Sequence, residues 1–159
     1  MIHTDMLQTH HYLYPATLFA EIRPARIHTV LGSCVSVCLF DRARHIGGIN
    51  HYMLPVWTGD GLATPKYGNI AIEKLIERMT AIGADQKHLV AKVFGGADQF
   101  GEQSKSGIGQ RNIEMAENIL SKMHIPIISS SVGGRFGRKI IFYSESGRVF
   151  MKYLNQPLN

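Results

Sequence analysis

Cysteine is scarce in this chain, with two in 159 residues. Two thiols cannot build a disulfide framework, so a reducing compartment is expected and both sulfurs are left for packing or for chemistry. Long apolar runs are missing too: none approaches the ~18–20 residues that a helical membrane span needs. Residues 1–15 lack the basic and apolar regions of a secretory leader, and the expected location is the cytoplasm. Charged side chains make up only 18% of the residues against 45% hydrophobic ones, a balance that excludes a disordered chain. Sixteen glycines follow no period, which rules out a collagen-like or low-complexity architecture, and no internal repeat is present. The net charge of +5 is dispersed, its tightest group being Arg135, Arg138 and Lys139. A solvated positive surface is expected from it, not a nucleic-acid interface or a membrane-inserted segment.

What is present is enough chain for one domain, since a chain of this length buries roughly 70% of its unfolded surface. Residues 1–26 are poorly periodic, carry His3, His10 and His11, and read as a tail with one edge strand around 16–22. The domain proper is expected over 27–159. Residues 30–40 are rich in β-branched and apolar side chains, 41–45 are polar, and 46–54 resume the strand pattern until Pro55, which outlines a hairpin. Residues 57–67 read as loop. A helix follows, with Asn69 as N-cap, Ile72, Leu75, Ile76, Met79 and Ile82 on one face, and Gly83 after its end. A strand at 89–94 and a glycine-rich loop at 95–107 come next. A second helix at about 109–123 then buries Ile113, Ala116, Ile119, Leu120 and Met123. Further strands are expected at 125–130, 139–143 and 148–153. This order implies an α+β fold with α/β mixing: a single domain with mixed β-sheet, two main helices and a layered sandwich like that of cysteine hydrolases.

Chemistry concentrates in the hairpin. Cys34 follows Gly32-Ser33 at the mouth of a strand, and His51 lies on the next. Strand side chains alternate, so Cys34, Ser36 and Cys38 share a face, as do Ile49, His51 and Met53. A two-residue loop at 42–43 pairs Asp41 with Arg44 and puts Cys34 directly opposite His51. A four-residue loop at 42–45 pairs Asp41 with Ile46, and His51 then faces Ser36 with Cys34 as its diagonal neighbour. The longer loop is favoured, because Arg42-Ala43 lacks the Gly or Asn of tight two-residue turns. Either loop brings thiol and imidazole onto one surface, whereas an odd loop separates them. A thiol beside an imidazole is a nucleophile with its base: an imidazolium lowers the thiol pKa from ~8.5 and prepares attack on a carbonyl carbon. Backbone N–H groups near residues 32–34 are placed to hold an oxyanion. Cys38, deeper in the strand, reads as core.

Leu31-Gly32-Ser33-Cys34-Val35-Ser36-Val37-Cys38-Leu39-Phe40-Asp41, followed by Ile46-Gly47-Gly48-Ile49-Asn50-His51-Tyr52-Met53-Leu54-Pro55, resembles the signature of the CheD family of chemoreceptor glutamine deamidases. The resemblance continues in Lys66-Tyr67-Gly68-Asn69, Lys92-Val93-Phe94-Gly95-Gly96-Ala97, Ile108-Gly109-Gln110-Arg111-Asn112 and Gly133-Gly134-Arg135-Phe136-Gly137-Arg138-Lys139, and covers about residues 27–154. It implies deamidation of particular glutamines on methyl-accepting chemotaxis receptors to glutamates. It implies Cys34 as nucleophile, His51 as base and a threonine shortly before the cysteine, for which Thr29 is the one available, as the group that orients the histidine. No metal or organic cofactor is implied. Some family members also bind CheC, a phosphatase of the chemotaxis response regulator.

Other readings of the same residues carry less. The segment 96–101 has the glycine spacing of a phosphate loop but no Lys-Ser/Thr after it. Cys34, Cys38 and His51 lack a fourth zinc ligand at a telling distance. Residues 133–139 read as a glycine-rich turn that brings backbone close to the Cys34 loop rather than as an RNA site. His3, His10, His11, His45, His88 and His124 read as structural. Two rival functions remain: another Cys–His amidohydrolase acting on small substrates, and a non-catalytic adaptor that docks on receptors or on a phosphatase.

Overall fold

A computed structural model describes residues 9–98 and 107–154. Its strands are β1 (Thr9–Tyr12), β2 (Thr17–Glu21), β3 (Ala25–Leu31), β4 (Val35–Asp41), β5 (Ile46–His51), β6 (Leu89–Gly95), β7 (Ile127–Val132), β8 (Arg138–Tyr143) and β9 (Val149–Tyr153). The helices are α1 (Gly68–Ala81) and α2 (Ile108–Lys122), with one 3₁₀ turn at Gln86–His88. Two mixed sheets form, one in the order β1-β3-β8-β9 and the other β2-β5-β4-β6-β7. The parallel pairs are β1 with β3 and β6 with β7, the second joined through α2. No helix among the described residues is long and apolar enough to cross a membrane.

The layers follow from strand alternation. One face of the five-stranded sheet, with Val35, Val37, Leu39 and Tyr52, packs on Ile72, Leu75, Met79, Ile113 and Leu120 of the two helices. Its other face, with Cys38, Ile49 and Phe94, packs on Ile27, Leu31, Ile140 and Phe142 of the four-stranded sheet. The molecule is therefore helices on sheet on sheet, an α+β sandwich with the five-stranded sheet buried on both faces. That double burial explains why all of β5 and almost all of β4 is buried, with no polar-out rhythm.

The structure changes several expected details. The apolar run at 30–40 is not one strand: it breaks at residues 32–34, and its halves belong to different sheets. The tail contributes two strands, β2 at the edge of the larger sheet and β1 in the smaller one. Asn69 does not cap α1. Tyr67 occupies the N-cap without a side-chain bond, and Asn69 Oδ1 instead accepts from the Trp57 backbone N–H at 2.9 Å, tying down the preceding loop. Met123 lies past the end of α2 and is 36% exposed rather than core. The far part of the glycine-rich loop, including Phe100 and Gly101, lies outside the described residues, as does His3.

The hairpin register has a visible cause. Asp41 is fully buried, and its Oδ1 accepts from the backbone N–H groups of Ala43 and Arg44, both at 2.8 Å. Its Oδ2 accepts from the Asp85 N–H at 2.8 Å. Burial pushes this carboxyl toward the neutral form, but the N–H donors of Asp85, Arg44 and Ala43 outweigh it and hold the pKa below the usual range. Asp41 thereby closes the four-residue loop, pairs with Ile46, and sets the alignment of everything that follows on β5.

Candidate active site

The chain leaves β3 at Leu31 and enters β4 at Val35, crossing between the sheets through Gly32, Ser33 and Cys34. Cys34 sits at that seam, half-buried against the inter-sheet cluster. Three donors pin its turn by the carbonyls: Ala97 N–H to Gly32 O, Asn112 Nδ2 to Ser33 O and Gly96 N–H to Cys34 O, each at 2.9 Å. Gly95, at φ +109°, lies so close that a Cβ there would strike the Cys34 carbonyl oxygen. Only glycine allows this approach. The segment 133–139 holds the neighbouring 95–98 loop rather than the cysteine turn itself: Gly133 N–H donates to Gly95 O, and Asp98 N–H to Gly134 O. Arg138, 1% exposed, donates to the carbonyls of Gly95, Ser131 and Gly133 and lies over the Tyr153 ring.

His51 ends β5 between two strands. Thr17 of β2 is its register partner, and Ala16 N–H donates to its carbonyl at 2.8 Å. On the other side, the β4–β5 ladder runs from Asp41–Ile46 to Cys38–Ile49 and resumes at the Val35–Tyr52 bridge in the same register. Between these points the Val37 N–H is taken by Asn50 Oδ1 at 2.8 Å. In this register His51 lies opposite Ser36 and Cys34 is its diagonal neighbour, the arrangement expected of the four-residue loop. Diagonal residues on such a pair lie ~7–8 Å apart, with Cβ atoms closer. Val35 and Tyr52 point to the helices, so by alternation Cys34 and His51 both point into the layer between the sheets.

The third group comes from the facing sheet. Thr29, fully buried on β3, places Oγ1 2.7 Å from His51 Nδ1 and 2.8 Å from the Leu13 carbonyl oxygen. A hydroxyl has one proton. The carbonyl accepts it, so Thr29 Oγ1 accepts from His51 Nδ1–H. In the neutral ring this leaves the lone pair on Nε2, which is buried and has no hydrogen-bond partner among the described residues. Burial drives the His51 pKa down to about 4, so the ring is neutral near neutral pH. Burial raises the Cys34 thiol as well, opposed in part by its own backbone N–H. The resting pair is thus thiol and imidazole, not the thiolate–imidazolium pair expected from adjacency, because desolvation disfavours both charged forms. Cys38, 2% exposed, is pushed further up by the same cause.

Two contributors escape a reading of the sequence. Leu13 acts through a backbone carbonyl, which leaves no side-chain signal. Asn112 is fully buried in the first turns of α2. Its Nδ2 bridges Ser33 O at 2.9 Å and Met53 O at 3.0 Å, and its own carbonyl accepts from Tyr52 Oη at 2.6 Å. One amide therefore joins the cysteine turn to the histidine strand. The available signal was an asparagine inside the apolar stripe of Ile113, Ala116 and Leu120. Among the described residues, His11 packs on Phe19, His45 on Phe40, and His10 stacks with His28.

Comparison with known proteins bears on the family of the chain. The family model of CheD, described as chemotactic sensory transduction, matches residues 53–153. That match begins just past His51, but full-length relatives extend it. A protein of Sulfurimonas denitrificans named probable chemoreceptor glutamine deamidase is 52% identical over 147 residues, 91% of this chain and 94% of its own. One of Trichlorobacter lovleyi with the same name is 49% identical over 142 residues, covering 89% and 88%. One of Anaeromyxobacter dehalogenans is 37% identical over 144 residues, covering 90% and 84%. On sequence, coverage and architecture together, this chain belongs to the CheD family.

Proposed function

We propose that this protein hydrolyses the side-chain amide of specific glutamines on methyl-accepting chemotaxis receptors, giving glutamate and ammonia, with Cys34 as nucleophile, His51 as base and Thr29 as the residue that orients the base. The observation that carries this reading is the chain from the Leu13 carbonyl to the Thr29 hydroxyl to His51 Nδ1–H, which leaves Nε2 as the free base in the layer that holds Cys34. The third-group logic is that of other nucleophile–base sites.

As the Cys34 sulfur bonds to the amide carbon, its proton passes to Nε2. The neutral resting pair makes this a general-base step and not attack by a preformed thiolate. The oxyanion forms on the oxygen of the carbon that the sulfur has attacked, and backbone N–H groups of the 32–34 turn are the donors that would hold it. The carbon–nitrogen bond then breaks, Nε2 returns the proton, and ammonia leaves. Water next gives a proton to Nε2 and attacks the thioester. The carbon–sulfur bond breaks, the thiol is restored, and glutamate remains. The reaction takes place in the cytoplasm, on the receptors' cytoplasmic helices. A CheC-type phosphatase is a second partner implied by the family, tested by co-elution of the two purified proteins.

Mass spectrometry of a receptor cytoplasmic fragment incubated with the protein tests the activity. A gain of about one mass unit per deamidated glutamine is expected, from replacement of an amide by a carboxyl. Cys34→Ala and His51→Ala abolish it. Unchanged glutamines across all receptors of the same genome would overturn the reading, and ammonia release from free glutamine alone would transfer it to a small-amide hydrolase.

A further inference from the structure

The outward face of the four-stranded sheet carries a charge pattern that the mechanism does not use. Strands β1, β3, β8 and β9 contain no Asp or Glu, although the chain has twelve. On the face turned away from the core stand Arg26, His28, Lys139 and Lys152, with Arg148 at the edge. Lys139 and Lys152 are direct cross-strand partners and both are exposed. Like charges directly opposite each other destabilise a sheet, and no carboxylate on these strands offsets them. A local rule broken on the strands themselves marks a place where selection for something other than sheet stability can act.

We propose that this face docks an acidic helical surface of the receptor around the target glutamine, with Lys139 and Lys152 at the centre of the contact, a proposal that rests on the deamidase reading above. Position supports it. Lys139 pairs with Val30, four residues before Cys34 on the same strand and turn. Even fully extended, those four residues span at most about 13 Å of chain, well inside a partner footprint of ~800 Å². The chemistry supports it too, because each turnover replaces a neutral amide by a carboxylate and makes the surface being processed more acidic. His28 already feels the local field: burial lowers its pKa first, and the charges of Lys139 and Arg26 lower it further. The aromatic rings on this side argue for protein and against single-stranded nucleic acid. Tyr143 and Phe150 meet edge to face at 5.6 Å, Arg148 lies over Phe150 at 5.5 Å, and Tyr12 meets Tyr14 edge-on at 5.0 Å. These rings pair with one another and with Arg148 rather than standing in a row along a groove, the arrangement a single strand of bases would need.

The test compares the wild-type protein with the double variant Lys139→Glu/Lys152→Glu on a chemoreceptor cytoplasmic fragment at low salt. kcat/KM should fall about tenfold through KM, and the wild-type rate should fall as sodium chloride is added. The rate of Cys34 alkylation by iodoacetamide and the thermal midpoint should stay unchanged, which shows the site and the fold intact. The Lys139→Gln/Lys152→Gln variant should fall between the two. Equal kcat/KM in all three proteins would overturn the proposal. If the wild type deamidates nothing, the deamidase reading has failed by itself, and docking is read from fluorescence anisotropy of the labelled fragment. Binding lost in the charge-reversed variant then upholds the contact, and equal binding overturns it. Salt-sensitive binding of a polyuridine oligomer that the variant loses, with receptor binding retained, would also overturn it.

Discussion

The turn that leads into β4 and the middle of that strand hold the same functional group in different surroundings. Cys34 and Cys38 lie four residues apart and project into the same layer between the sheets. At Cys38 the thiol is 2% exposed, between its register partners Ile49 on one strand and Lys92 on the other. At Cys34 the chain crosses between the sheets and the residue is half-buried, with Asn112 Nδ2 and the Gly96 and Ala97 N–H groups held on the carbonyls of its turn. Alternation puts both thiols on the right face. What separates them is exposure, which arises from the break at residues 32–34.

The sharpest way to break this comparison is to remove each thiol in turn. Cys34→Ala and His51→Ala should each lower receptor deamidation by about 10⁴-fold or more, since nucleophile and base act as a unit. Cys38→Ala should retain most of the wild-type rate, and mass spectrometry of the receptor fragment reads all three. Iodoacetamide should label Cys34 alone in the folded protein. Its labelling rate should climb with pH through the alkaline range without a plateau near neutrality, because burial raises this thiol. A neutral-pH plateau would restore the thiolate–imidazolium pair.

Next in size is the acid sensitivity that the buried base confers. His51 titrates near 6.5 in the unfolded chain and at about 4 in the folded one. The unfolded state therefore binds the proton first as pH falls. The stability that depends on a neutral ring is full above pH 6.5 and is lost progressively down to about 4, by about 3 kcal/mol. Urea melts of wild type and His51→Phe across that window should converge by this amount toward low pH. Subtracting the variant is required, because the lowered pKa of His28 acts in the same direction. Parallel curves would show that the ring is not held neutral by burial.

The pairing between the sheets is weaker but more diagnostic. Thr29→Val keeps the shape and removes the acceptor for Nδ1–H, so the ring loses its fixed tautomer. kcat should fall about 10²-fold with KM little changed, and Thr29→Ser should restore most of it. Asn112→Ala leaves the Ser33 and Met53 carbonyls without their shared donor. A loss of about 1–3 kcal/mol in stability is expected, with slower Cys34 alkylation in the still-folded protein.

The hairpin is the part of the molecule most legible in the sequence. Its loop length, its register and the common face of Cys34 and His51 follow from a turn composition and a period of two. Both helix stripes are legible for the same reason. The strand break at 32–34 is not, because an apolar run looks the same whether it continues in one sheet or passes to another. Nor is the depth of burial around the pair, which reverses the expected ionisation: adjacency can be read from spacing, whereas desolvation depends on the whole second sheet. Thr29 was within reach only through the family resemblance. Its link to Leu13 joins residues 16 positions apart through a backbone atom, which no pattern of side chains encodes.

The smallest expected effect is at Cys38. Replacing it by alanine removes one sulfur from a well-packed layer and leaves no polar group unpaired, so about 1 kcal/mol of stability should be lost. Cys38→Ser is nearly isosteric, but its hydroxyl must either find a partner or stay orphaned in hydrocarbon, and it should lose about 1–3 kcal/mol. The ranking of the two variants in urea melts is therefore informative where either value alone is not. Serine worse than alanine means that the layer is dry at that depth, and the water needed for thioester hydrolysis is then confined to the Cys34 end. The reverse order would mean that water reaches Cys38, and access would no longer distinguish the two thiols.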